Sequence, residues 1–144
     1  MAHYILLDRH HGSTLNVTLA GVGTYHWNLK SYFRRIKDGD SVLLWQAHSD
    51  KSIRGVHACG CVVGNPYNAP DNAPDTESDW KVDIGSIQVV CPILSVTEIE
   101  SRALQLLEVS IMKGGQQQSR RVHSITHQQW LDFKQLRPQI GNCS

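Results

Sequence analysis

Nowhere does this sequence hold an apolar run of about 18 residues, the least a membrane-spanning helix needs, and the stretch Tyr4–Leu7 is too short and too poorly flanked to act as a secretory signal. Those two absences predict a soluble, cytoplasmic protein with no membrane partner. An excess of charge of one sign is also lacking. Lys plus Arg number 14 against 13 for Asp plus Glu, which excludes a protein that lives on general attraction to phosphate. Any nucleic-acid binding must be local and must take its selectivity from a pocket.

Cysteine is sparse. Cys59, Cys61, Cys91 and Cys143 show neither C-x-x-C spacing nor the density of a disulfide scaffold, so the expected state is reduced and mostly buried. His10-His11, or Cys59-x-Cys61 with His57, lacks the i, i+4 or C-x-x-C geometry of a metal site. Gly21-Val22-Gly23 lacks the rest of a dinucleotide fingerprint, and Gly114-Gly115 lacks the Lys-Ser/Thr of a phosphate loop. No cofactor and no metal are expected, and both glycine pairs read as turns.

What is present fits one domain. A chain of 144 residues with 40% apolar content can build one core and not two, so residues 1–144 are expected to form a single unit. Tyr4–Leu7 reads as a short buried strand, and Arg9–Thr24 as a loop with one short element. Leu29, Tyr32, Phe33 and Ile36 fall at i, i+3, i+4 and i+7, the spacing of one helix face, with Asn28 as its cap. Lys37-Asp38-Gly39-Asp40 is turn chemistry before the strand Val42–Trp45, and a further strand runs from Ile53 to Val63.

The proline- and aspartate-rich stretch Asn65–Asp79 predicts a surface loop. Trp80, Val82 and Ile84 alternate in one phase and Ile87, Val89 and Cys91 in the other, which places a bulge at Gly85-Ser86. Thr97-x-x-Glu100 and Thr126-x-x-Gln129 have the form of capping boxes, the first opening a helix with Ile99, Ala103, Leu106 and Leu107 inward. Val122–Ile125 is a short strand, and Trp80 and Trp130 sit on patterned elements as core residues. About five short strands with helices early and late, and no βαβ alternation, make an α+β sheet or open barrel.

In order and in register over roughly residues 26–133, the turn and strand Lys37-Asp38-Gly39-Asp40-Ser41-Val42-Leu43-Leu44-Trp45, the strand Ile53-Arg54-Gly55-Val56, the strand Trp80-Lys81-Val82-Asp83-Ile84 and the closing segment Ser124–Trp130 resemble the EVE domain of the PUA-like superfamily, related to the YTH readers. The resemblance implies a small mixed β-barrel of five or six strands flanked by helices, with a pocket for a flipped, modified base and no catalysis of its own. It also implies a specificity module of a modification-dependent restriction system, with the effector nuclease or AAA+ GTPase in a separate domain or subunit. Trp27, just before the first helix, and Trp45, at the end of the Gly-Asp strand, then correspond to the pocket walls.

The chemistry suits such a role. Extruding a base costs a few kcal/mol, and stacking on an aromatic ring contributes about 1 to 3 kcal/mol per base, so two indole walls are of the right scale. His26, Gln46 and His48 are the candidates for hydrogen bonds to the base edge. Lys30, Arg34 and Lys37, spaced i, i+4, i+7, and Lys113, Arg120 and Arg121 are the candidates for the nucleic-acid backbone. The expected ligand is DNA carrying 5-methylcytosine or another 5-substituted cytosine. RNA carrying an N6-methyladenine-like base is the second reading. Third is nucleoside amidohydrolysis, as in related ASCH domains, for which the chain shows no Lys/Glu constellation at the start of the first helix.

Overall fold

A computed structural model describes residues 2–8, 14–29, 34–69, 79–113, 121–141 and 143. Six strands form one open mixed sheet in the order β2-β5-β4-β3-β1-β6. They are β1 (His3–Asp8), β2 (Tyr25–Asn28), β3 (Ser41–Gln46), β4 (Gly55–Ala69), β5 (Asp79–Ser95) and β6 (Val122–Ile125). The helices are α1 (Leu15–Leu19), α2 (Val96–Arg102), α3 (Ser110–Lys113) and α4 (His127–Leu136), with a 3-10 turn at Leu104–Glu108. The α+β class and the strand number match expectation; the sheet is not closed into a barrel. Among the described residues no helix is long and apolar enough to cross a membrane.

The parallel pair β1 and β3 lies within the sheet, with Ile5 opposite Leu43 and Leu7 opposite Trp45. Both strands are continuous apolar runs because both faces are covered. Ile5, Leu7, Leu43 and Trp45 point to one core, where Ile99, Leu106, Trp130, Phe133 and Ile140 from the helices and tail meet them. Tyr4, Leu6, Val42 and Leu44 point to the other, shared with Leu15 and Leu19 of α1, Trp27, Val82 and Ile84. We refer to these as the helix-backed face and the inner face.

Local chemistry fixes several boundaries. At α4 the Thr126 hydroxyl accepts from the Gln129 N–H at 3.0 Å while the Gln129 side chain accepts from the Thr126 N–H at 2.8 Å, the reciprocal box expected from the sequence. At α2 the cap lies two residues earlier than Thr97 and is one-sided: Ser95 Oγ accepts from the Glu98 N–H at 3.2 Å, since β5 carries the chain straight to Ser95. The bulge at Gly85-Ser86 is present. Cys59 pairs with Gln88 and Cys61 with Gly85, so β5 holds one residue more than β4 there, and Ser86 has φ 50°.

Three expectations need correction. Asn28 ends β2 instead of capping a helix; residues 30–33 of the expected helix lie outside the described residues, and 34–35 form a turn. Asn65–Ala69 belongs to β4 instead of a loop. Beyond Val63 this strand pairs with β5 through a register shift and is free of β3, which is why Pro66, lacking an N–H, is tolerated. The cysteines are not all reduced, because Cys61 and Cys143 form a disulfide across 82 residues. Cys59 remains a buried thiol and Cys91 an exposed one. The pairing was invisible in the sequence because only the return of the chain after Arg137, with Cys143 against the Gly60 carbonyl of β4, brings the two together.

Arg137 anchors that return. Its guanidinium donates to both oxygens of Glu98, at 2.6 and 2.7 Å, and to the carbonyls of Pro92, Ile93 and Leu136. The hydrogen bonds from Arg137 hold the Glu98 carboxyl below its usual value. A cavity of about 160 Å³ beside the disulfide is lined by Cys59, Gly60, Cys61, Ser86, Gln88 and Gly141. It has no aromatic wall.

Candidate functional site

The first helix is too short to be stable alone, at five residues, and its cap is deficient: the Thr14 side chain accepts from no backbone N–H of the first turn, its hydroxyl donating instead to Asn16 Oδ1 at 2.5 Å. Helix N-termini leave their first N–H groups without intrahelical partners. Here the sheet supplies them. Gln46 Oε1 accepts from the Leu15 N–H at 2.7 Å, and His57 Nδ1 accepts from the Asn16 N–H at 3.3 Å.

Each acceptor is placed by the sheet. Gln46 is the last residue of β3, two beyond Leu44 and so on the inner face, and it is 3% exposed. Its amide nitrogen donates to the Ala47 carbonyl at 3.1 Å. His57 is the extra residue of a bulge in β4: Leu44 pairs with Ala58 and Trp45 with Val56, leaving His57 unpaired. A bulge re-aims its side chain, and this one sends an imidazole with no exposed surface toward α1. Gly55, beside it, has φ 152°, and a Cβ there would collide with the Leu94 carbonyl.

The tautomer of His57 follows from its partners. Nε2 lies 2.6 Å from the Ile53 carbonyl and must donate, so Nδ1 is left as the acceptor that Asn16 requires. Burial pushes the imidazole below its ordinary value of 6.5; the Ile53 carbonyl works against that shift, His48 adds to it and Asp8 opposes it.

The other polar groups at this end of β1 and β3 are close by in the register. Asp8 pairs with Gln46, the Asp8 carbonyl accepts from the Ala47 N–H at 2.9 Å, and the Arg121 carbonyl accepts from the Leu7 N–H at 2.8 Å. His48 is half-buried, its Nδ1 accepting from the Asp50 N–H at 3.0 Å and its carbonyl from Arg54 at 3.2 Å. Gln46, His48 and Arg121 are thus brought to one end of the parallel pair.

The remaining candidates lie elsewhere. Trp27 is on β2, not before a helix, and is 3% exposed on the inner face with its ring edge-on to Tyr25 at 6.0 Å. Trp45 is 2% exposed on the helix-backed face, so the sheet separates the two indoles. His26 points away from Trp27, and its Nδ1 donates to Asp83 Oδ1 at 2.6 Å. Tyr67 donates to the same oxygen at 2.6 Å, a bond that raises the Tyr67 phenol to about 12 and lowers the Asp83 carboxyl. Arg34 and Lys37 are exposed on the turn before β3, at the strand end opposite Gln46. Lys113 ends α3, 3.6 Å from Glu108. Lys30 and Arg120 lie outside the described residues.

His57 is the residue the sequence reading passed over as a site candidate, weighing it only as a metal ligand. The one signal was an imidazole inside an otherwise small and apolar run, Val56-His57-Ala58.

Known structures share the fold of this chain. No curated protein sequence matches it. A protein of unassigned function from Leishmania major shares the fold at a TM-score of 0.71, with 17% identity over 94% of both chains. A Pseudomonas putida protein does so at 0.70, with 17% identity over 94% of this chain and 99% of that one. Human THYN1, in a structure with DNA containing 5-methylcytosine, superposes at 0.69 with 12% identity, covering 94% of this chain and 97% of that one. The family model for the EVE domain matches residues 18–135, and the chain belongs to the EVE domain family.

Proposed function

We propose that this protein is a non-catalytic reader of modified bases in DNA, with 5-methylcytosine or another 5-substituted cytosine as ligand. The observation that carries the reading is membership of the EVE family across residues 18–135. The fold held in common with a human protein in complex with 5-methylcytosine DNA supports it. We place the base-binding site on the inner face where α1 starts, at the end of β1 and β3 that holds Gln46, His48 and Arg121.

On this reading Trp27 is the aromatic residue on the correct side of the sheet, and Trp45 supports the site from behind. The base is extruded from its stack before it is read, because the edges that distinguish a modified base are not all open within a duplex. One methyl group contributes about 1 to 3 kcal/mol in an apolar pocket, so selectivity of roughly 10- to 200-fold is the expected scale. Arg121, with Lys113 as the second basic contact, faces the phosphates. An effector nuclease or AAA+ GTPase acts from another domain or subunit.

The test is a binding panel of otherwise identical oligonucleotides, single- and double-stranded, DNA and RNA, carrying cytosine, 5-methylcytosine, 5-hydroxymethylcytosine or N6-methyladenine. Tighter binding of a 5-substituted cytosine than of cytosine in DNA, with a change in tryptophan fluorescence, supports the proposal. Equal binding of every modified strand and its unmodified counterpart overturns it.

A further inference from the structure

We propose that His57 and Gln46 are positioning residues of the base-binding site, which together replace the missing N-cap of α1, and that protonation of His57 releases the helix and weakens binding. The inference rests on the modified-base reading above for its link to binding, and on geometry alone for its effect on α1.

Three observations converge on these two residues. The cap side chain of α1, Thr14, donates to the Asn16 side chain and caps no backbone N–H, yet the Leu15 and Asn16 N–H groups are both satisfied, one from β3 and one from β4. His57 is fully buried, unpaired in the sheet and aimed at the helix from a bulge. Leu15 and Leu19, the buried residues of α1, share the inner core with Trp27. The start of the helix and the aromatic residue of the site are therefore parts of one packed unit, fastened to the sheet by two polar contacts.

These two contacts respond differently to acid. Gln46 has no titratable group and accepts at any pH. His57 accepts only while Nδ1 carries a lone pair. Adding a proton there turns the acceptor into a donor facing the Asn16 N–H, two hydrogens across 3.3 Å. Nε2 continues to donate to Ile53, so the ring cannot turn over to relieve the clash without losing that bond. Among the described residues, Asp8 from β1 favours protonation of the ring, while His48 from the loop after β3 opposes it. Residues 15–19 of α1 carry no ionisable side chain. Acid is thus answered by displacement of α1 from His57, with Gln46 left as the remaining tether.

The experiment uses the full chain, with amide exchange and nitrogen-proton spectra recorded from pH 7.5 downward until the His57 ring is protonated, and affinity for a 5-methylcytosine oligonucleotide measured alongside. The Asn16 amide is expected to shift in one step that tracks the His57 ring. Its exchange protection should fall relative to intrinsic exchange, and affinity should drop about tenfold or more. His57→Asn cannot be charged, so whatever its affinity at pH 7.5, that affinity should change less than twofold over the same range. A flat Asn16 amide, or an acid loss in His57→Asn equal to that of the parent, overturns the proposal. Should His57→Asn fail to fold, the parent titration decides alone. An Asn16 step linked to His57 without preference for any modified oligonucleotide sustains the positioning of α1 and sinks the base reading; a flat Asn16 amide with preference intact does the reverse.

Discussion

The two faces of this sheet are fastened by different means. On the helix-backed face a large apolar core is locked by the Arg137–Glu98 network, a reciprocal capping box and a disulfide. On the inner face a five-residue helix without a side-chain cap of its own depends on two side chains lent by the sheet. Redundant attachment makes the first face a rigid support. Sparse attachment leaves the second responsive to its surroundings, as regions that bind ligands tend to be.

The largest test of that contrast is Arg137→Ala. It leaves Glu98 with Arg102 alone and takes a donor from three carbonyls, and breaking a largely buried pair costs about 3–5 kcal/mol. Denaturant melts should show that loss, while the folded fraction keeps its affinity for a modified oligonucleotide. Cys143→Ser should act similarly, lowering stability by about 4 kcal/mol on the chain-entropy view of a loop this long, again with affinity unchanged.

The indoles give a sharper comparison. Truncating a buried Trp costs about 3–5 kcal/mol wherever it sits, so Trp27→Phe and Trp45→Phe are the more informative pair. Selectivity for the modified base should fall to near unity in Trp27→Phe and change less than about threefold in Trp45→Phe. Equal effects would dissolve the division of labour between the faces.

Acid should separate the faces as well. His57 has its value lowered from 6.5, so the unfolded chain binds the proton more readily and stability falls as pH drops from 6.5 toward the lowered value. Glu98 is lowered from 4.5, so the stability it contributes is complete above that pH and is lost below it. Amide exchange should therefore show α1 loosening before α2 and α4. The smallest change is Thr126→Ala, which removes a cap worth about 1 kcal/mol and should touch only the helix-backed face.

Much of the architecture was legible in local pattern. The apolar runs Tyr4–Leu7 and Val42–Trp45, the phase change at Gly85-Ser86 and the Thr126 box all sit where their residues indicate, because each rests on neighbours within a few positions. The site was less legible. Trp27 and Trp45 look equivalent as sequence, yet alternation on one strand and pairing on another send them to opposite faces. Nothing near His26 in the sequence foretells that its ring meets Asp83, 57 positions away.

By itself the sequence determined five of the six strands, the start of α4 and the family, since periodicity, turn chemistry and an ordered set of short motifs are properties of adjacent residues. Only the tertiary structure decided that Cys61 meets Cys143, that His57 is ejected from its ladder by a bulge, and that α1 takes its cap from β3 and β4. Each of these joins residues from 31 to 82 positions apart, and no local pattern records which distant partner a side chain will find once the sheet has set its register.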